Sequence, residues 1–279
     1  MKNPFKQLVA RAPRRPRPEN LEEQIYDAIV RASDTCLDVG ANRGDITERL
    51  ALLAGADGLV VACEPVWTQY RLLCTRLARL PAHAAPVVPV PMGLSDRPGE
   101  ARVHVPRGDF GQGSIAAPER WAAAQDGAAL EHHDCQLTTL DALLAASRLP
   151  EPDVVKIDVE GAELLVLRGA SALLARGARP LMLVELFAPW ERAFGYGPWE
   201  PLSLLRGLGY RLLFVCPDGL VEHEPSAEAP FPAGYEAGYN VLAVDGVRHR
   251  ERIDALAPLR RGGGGTLLPM QPPPVPNRP

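Results

Sequence analysis

Two stretches constrain this chain more than any others: residues 35–44, TCLDVGANRG, and residues 153–163, DVVKIDVEGAE. Residues 35–39 read as a short buried strand, bounded by polar Ser33 and Asp34 and stopped at Gly40. Residues 40–44 form a glycine turn, and residues 45–53 read as a helix with Asp45, Thr47 and Glu48 near its start. Strand, glycine turn and helix N-terminus together make a cradle for a nucleotide. The glycines let backbone approach the ligand, and the free helical N–H groups face it.

The spacing narrows the ligand. A dinucleotide fold shows G-x-G-x-x-G, whereas here Gly40 and Gly44 flank Asn42. Asp38 stands two residues before the first glycine, and an acid there suits a cationic ligand such as the α-ammonium of S-adenosylmethionine. Glu64 closes the next apolar run, residues 58–64, where an acid accepts bonds from ribose hydroxyls. Each acid alone is equally a helix cap or a solvated charge. The ordered set Asp38, Gly40, Asn42, Gly44, Glu64 favours a cofactor site.

The second stretch is a central strand that breaks the apolar rule twice. Lys156 and Asp158 share a side because strand side chains alternate. An unpaired charge there is costly, so the two either pair or face a site at the carboxyl edge of the sheet. Glu160 and Glu163 follow in the turn into the next helix, residues 164–176, and Glu185 ends the next strand, 181–185.

The remaining chain supports an alternating α/β pattern. Helices are expected at 21–32, 68–80, 140–147 and 198–207, and strands at 87–91 (an edge, given its prolines), 101–105, 136–139, 210–216 and 240–244. Ser95 and Asp96, in the turn after the third strand, are placed to lie beside the adenine, and are equally ordinary turn residues. Residues 110–133 show no period and read as a lid or disordered loop. Their His132-His133-Asp134 cluster is a metal or base candidate, more simply a solvent-exposed one. A hairpin at Asp218-Gly219 lets the last strand insert antiparallel. This gives a Rossmann-like, seven-stranded, mostly parallel sheet of the class I methyltransferase type, by analogy of architecture.

Composition sets outer bounds. The 279 residues, 46% hydrophobic, suffice for one α/β domain with additions. A net charge of −4 argues against a general nucleic-acid binder. The five cysteines lack C-x-x-C spacing and read as reduced core residues. No apolar run reaches the roughly 20 residues of a membrane span, and no signal-peptide core follows the N-terminal charges, so a soluble cytoplasmic protein is the simplest expectation. Residues 1–18, basic and proline-containing, read as a disordered arm. The domain is expected over 19–256, with a Gly/Pro-rich tail over 257–279.

The ordered blocks DVGANRG (38–44), CEP (63–65), GLSDRPGEARVHVP (93–106), TTLDALL (138–144), VVKIDVEGAELLVLRGA (154–170) and RPLMLVEL (179–186) resemble the FkbM-type methyltransferases. The resemblance covers residues 35–187 and implies methylation of oxygen by S-adenosylmethionine, with a sugar, glycan or secondary-metabolite hydroxyl as acceptor. It implies that DVGANRG holds the methionine moiety, Glu64 the ribose and Ser95-Asp96 the adenine side. Lys156, Asp158, Glu160 and Glu163 would floor the reaction site. Asp158 is then the candidate base, with Lys156 either a second base or the charge that holds Asp158 ionised. Asp158 and Glu185 end neighbouring strands and could instead bind Mg²⁺, although no diagnostic ligand spacing supports a metal. A non-catalytic S-adenosylmethionine-binding protein and a nicotinamide oxidoreductase are the competing classes.

Overall fold

The structure is a computed structural model that describes residues 20–106, 113–116, 130–177, 179–232 and 239–261. The expected arm (1–18), the expected tail from residue 262 and most of the 110–133 stretch lie outside the described residues.

Asn20 caps α1 (Leu21–Ile29) by accepting from Glu23 N at 2.9 Å, and the helix buries Leu21, Ile25, Tyr26 and Ile29. The first half continues as β1 (Thr35–Val39), α2 (Asp45–Ala54), β2 (Leu59–Cys63), α3 (Trp67–Leu77), β3 (Val87–Val90), β4 (Gly93–Leu94), β5 (Gly99–Pro106) and β6 (Leu130–Thr138). Then come α4 (Leu140–Ser147), β7 (Val154–Ile157), α5 (Glu163–Gly169), α6 (Ser171–Ala175), β8 (Leu181–Leu186), α7 (Ala188–Ala193) and α8 (Trp199–Gly207). The chain ends in β9 (Arg211–Cys216), β10 (Gly219–Glu222), β11 (Tyr239–Val244) and α9 (Arg250–Ala255).

The main sheet runs β10-β9-β11-β8-β7-β1-β2-β3. The five strands from β8 to β3 are parallel, and β11 inserts antiparallel between β8 and β9. This is the doubly wound class I methyltransferase order with β3 at an edge as expected. It has eight strands, not seven. The extra one, β10, returns from the Asp218-Gly219 turn onto β9; four residues with few apolar side chains carry little strand signal.

Strand alternation fills both faces. Leu37, Val39, Val155 and Ile157 pack with α4, α5, α6 and α8, while Cys36, Val60 and Val154 pack with α1, α2 and α9. Asp38 and Lys156 fall on the α1/α2 side and are direct register partners across β1 and β7.

Three further elements depart from the sequence expectation. The helix expected over 164–176 breaks at Ala170. Gly169 meets the Ser95 carbonyl so closely that an added Cβ would lie 2.0 Å away, and Asp141 restarts the helix by accepting from Ala172 N and Leu173 N. β6 starts at residue 130, so His132, His133 and Asp134 sit on a strand and not on a loop; only Cys135 is buried along it, which leaves almost no apolar pattern to read. Ala257–Leu259 forms a 3-10 turn with Leu259 buried, and Arg261 N donates to Leu220 O, so the packed chain passes the expected boundary at 256.

Candidate active site

A cavity of about 480 Å³ opens at the carboxyl ends of β1, β2 and β7, where a doubly wound sheet binds its ligand. Its first wall is the glycine turn. Gly40 has φ +81°, and an added Cβ would stand 1.8 Å from the Asp158 carbonyl, so a side chain there would force β1 and β7 apart. Gly40 N and Ala41 N both donate to Cys63 O at 3.0 Å, and Asn42, also at positive φ, donates its N–H to Glu64 Oε2 at 2.8 Å. Glu64 Oε1 accepts from Val66 N at 2.8 Å. Burial, set against those two backbone bonds, pushes the Glu64 pKa up to about 7.

The opposite wall is apolar. Leu94 of β4, Val103 of β5, Leu137 of β6 and Ile115 face the cavity, so the small sheet β4-β6-β5 forms its roof. The sequence expected a short added strand here but gave no sign that it covers the site. Its roofing side chains are spread over forty-odd residues of chain.

Of the expected cofactor residues, Gly40, Asn42 and Glu64 line the cavity. Asp38 does not. It is fully buried behind the wall, accepts from Thr47 Oγ1 at 2.5 Å and faces Lys156 at 3.7 Å. Gly44 is likewise absent from the wall; at φ +86° it starts α2 against Leu73, whose Cδ1 would be 2.5 Å from an added Cβ. Ser95 is buried and Asp96 lies beside it, and neither lines the cavity; their neighbours Gly93 and Leu94 do. Arg43, Asp45 and Ile46 add to the lining at the start of α2, where the expected helix N-terminus faces the cavity.

Lys156, Asp158 and Glu160 all reach the cavity. Lys156 Nζ is 2.8 Å from Asp158 Oδ2 and donates to Gly40 O at 3.2 Å. Burial pulls the Lys156 pKa down, but Asp158 and Asp38 outweigh it, and the ammonium titrates above the ordinary lysine range. Glu160 stands at φ +52°; burial, then Asp158 and Glu185, hold its carboxyl well above the usual range. Glu185 is raised chiefly by Asp158, then by burial. Glu22 of α1 accepts from Tyr26 Oη at 3.0 Å; burial raises its pKa and Lys156 lowers it.

Glu163 is not part of the floor. It is 2% exposed, and its Oε1 accepts from Val159 N and Gly161 N, both at 3.1 Å, bracing the turn that carries Glu160. The histidine cluster lies outside the cavity: His132 stacks edge-on against His104 at 4.9 Å, and Asp134 pairs with Arg102 at 2.7 Å. Among the described residues no group of three or more His, Cys, Asp or Glu is arranged to hold a metal ion, and no helix is long and apolar enough to cross a membrane.

These residues fit S-adenosylmethionine. A buried acid at the end of β2 suits ribose hydroxyls, an apolar slot under the small sheet suits an adenine ring, and carboxylates at the far end suit a sulfonium. Comparisons with known proteins bear on the same point. Solved structures with similar chains include a precorrin-6y C5,15-methyltransferase from Geobacter metallireducens (13% identity, 80% of this chain and 85% of that one, TM-score 0.42). A putative rRNA-methylase from Clostridium thermocellum shows 11% identity over 82% of this chain and 99% of that one, TM-score 0.44. Fibrillarin from Aeropyrum pernix, with natively bound S-adenosyl-L-methionine, shows 13% identity over 80% and 74%, TM-score 0.40. At these scores none of the three carries weight in the argument. A comparison with curated proteins finds no match. The sequence model described as Methyltransferase FkbM domain matches residues 38–212, from the acid of β1 into β9 and across every cavity wall. That match spans more than half of the 279 residues, and the chain belongs to the FkbM methyltransferase family.

Proposed function

We propose that the protein transfers a methyl group from S-adenosylmethionine to a hydroxyl oxygen of a sugar, glycan or other small metabolite, with Asp158 as the base. The observation that carries this reading is the Lys156–Asp158 pair at 2.8 Å on the cavity floor, with Lys156 buried and the Asp158 side chain 29% exposed. The cation is spent on the sheet side, and the carboxylate keeps a face towards the site.

When bound, the cofactor supplies an electrophilic methyl carbon on a sulfonium. Asp158 would take the proton of the acceptor hydroxyl held against that methyl. Lys156 fixes the orientation of Asp158 through their 2.8 Å ion pair. Glu160, whose carboxyl burial and then Asp158 hold well above the usual range, stands beside Asp158 on the cavity floor, in reach of the acceptor. Glu64 and the Gly40–Asn42 backbone hold the nucleoside end, and the apolar roof keeps water from it.

The test is product analysis. The full-length chain, S-adenosylmethionine carrying an isotopically labelled methyl, and a panel of hydroxylated sugars and metabolites should yield S-adenosylhomocysteine and a labelled methyl ether. A labelled N-methyl or C-methyl product from amine-bearing or carbon-nucleophile members of the panel would contradict oxygen transfer. Tight cofactor binding with no turnover on any acceptor would favour the non-catalytic reading. The match to a methyltransferase family disfavours the nicotinamide alternative.

A further inference from the structure

Residues Gly113–Ala116 lie along β5, where His104 and Ser114 exchange both backbone hydrogen bonds, at 2.8 and 3.0 Å. Gly113 and Ile115 face the cavity. Ser114 is 1% exposed, and its Oγ donates to the Glu160 carbonyl at 2.7 Å. A hydroxyl belonging to the roof therefore binds the backbone of the turn that carries Asp158 and Glu160.

We propose that Ser114 is a positioning residue of the transfer site: its hydroxyl ties the roof over the cofactor to the turn bearing the reaction acids. The inference rests on the cofactor reading above. It concerns the coupling of the two halves of the site, which the acids themselves do not require.

The turn needs external support. A non-glycine residue at φ +52° is a strained conformation that persists only when its surroundings hold it. Glu163 holds the N–H groups on either side of Glu160, and Tyr196 Oη donates to the Gly161 carbonyl. Gly161 itself packs so closely on the Trp190 backbone that an added Cβ would stand 2.8 Å away. Those three supports come from beneath the turn, and Ser114 binds from the roof. The roof is held together where β4 pairs with β6 and where Val66, Val103, Val105 and Cys135 form an apolar cluster on which Ile115 packs. Ser114, next to Ile115, adds to that apolar contact a polar tie from the roof to the turn. A ligand between roof and floor would be released fastest when this bond is open.

Two measurements on the full-length chain test the proposal: amide hydrogen exchange without ligand, and the dissociation rate of S-adenosylhomocysteine by stopped flow. Ser114→Ala should speed exchange of the Val159–Gly161 amides while leaving those of β9 unchanged. It should also raise the dissociation rate about tenfold, the size of one buried neutral hydrogen bond. Ser114→Cys, which keeps the shape with a weak donor, should move both in the same direction. Tyr210→Phe is the control, since it deletes a comparable buried bond, Tyr210 Oη to the Pro180 carbonyl at 3.0 Å, far from the cavity wall. Wild-type exchange in the 159–161 turn of Ser114→Ala would overturn the tie whether or not the homocysteine ligand binds. Faster exchange with an unchanged dissociation rate would overturn the coupling, and so would a Tyr210→Phe rate equal to that of Ser114→Ala. Failure of the wild-type chain to bind S-adenosylhomocysteine would count against the proposed function, with the exchange result still deciding the tie.

Discussion

The ammonium of Lys156 lies 2.8 Å from an Asp158 carboxylate oxygen, and it reaches back to the fully buried Asp38 at 3.7 Å. One buried cation therefore serves two acids with different tasks. Asp38 secures the glycine turn through Thr47, while Asp158 faces the cavity. Lys156→Met should remove the cation from both, leaving Asp38 buried with Thr47 alone. The expected cost is about 3–5 kcal/mol of stability, read as a lowered urea midpoint. A midpoint unchanged from wild type would show that the triad is not energetically coupled.

Asp38 acts from behind the wall, so its support should be separable from ligand contact. Thr47→Val deletes the 2.5 Å bond to Asp38 while keeping the side chain's shape. Stability should fall by about 1.5–3 kcal/mol, the scale of a hydrogen bond to a charged group. Cofactor affinity by calorimetry should change less than threefold. A large loss of affinity with unchanged stability would return Asp38 to direct contact with the ligand.

Glu64 should give cofactor binding a pH dependence. Its carboxyl titrates at about 7, and the ionised form is the better acceptor for ribose hydroxyls. Affinity is then weakest at pH 6, rises through pH 7 and levels above pH 8. Glu64→Gln should flatten that profile and weaken binding roughly tenfold or more. A wild-type profile flat from pH 6 to 8 would contradict this assignment.

Glu191 governs stability and not binding. It is fully buried on α7, neither carboxyl oxygen has a hydrogen-bond partner among the described residues, and burial, then Glu163 and Glu200, push its pKa from 4.5 to about 9. Below pH 4.5 both folded and unfolded states hold the proton, and the carboxyl imposes no penalty. As pH rises towards 9 the unfolded state ionises first, so stability falls across that window and flattens above it. Glu191→Gln should lose most of this slope and melt later than wild type at pH 9. Equal slopes in the two proteins would refute the account.

The sequence exposed those parts of the site that are local in the chain. The DVGANRG turn, the acid ending β2 and the polar pair in β7 each announce themselves within a few residues, and Gly40, Asn42, Glu64, Lys156, Asp158 and Glu160 all reach the cavity. Side-chain direction was harder to read. Asp38 shares a sheet face with Lys156, which lines the cavity, yet is itself buried behind the wall, and Ser95 is turned inward beneath α5. The roof was least legible, because β5 and β6 form a small sheet with one solvated face and few apolar positions. Ser114 offered no signal, since a lone serine acquires its role only when two distant segments meet.

Asp158→Asn decides the central claim, measured on one preparation for thermal midpoint, cofactor affinity and turnover to S-adenosylhomocysteine. Asparagine keeps the shape and a dipole towards Lys156 but is no longer a base. The account predicts a folded variant with a midpoint lowered by the lost charge pair, cofactor affinity within a few-fold, and turnover reduced about a hundredfold or more. A stable, cofactor-binding variant that turns over at the wild-type rate would contradict it.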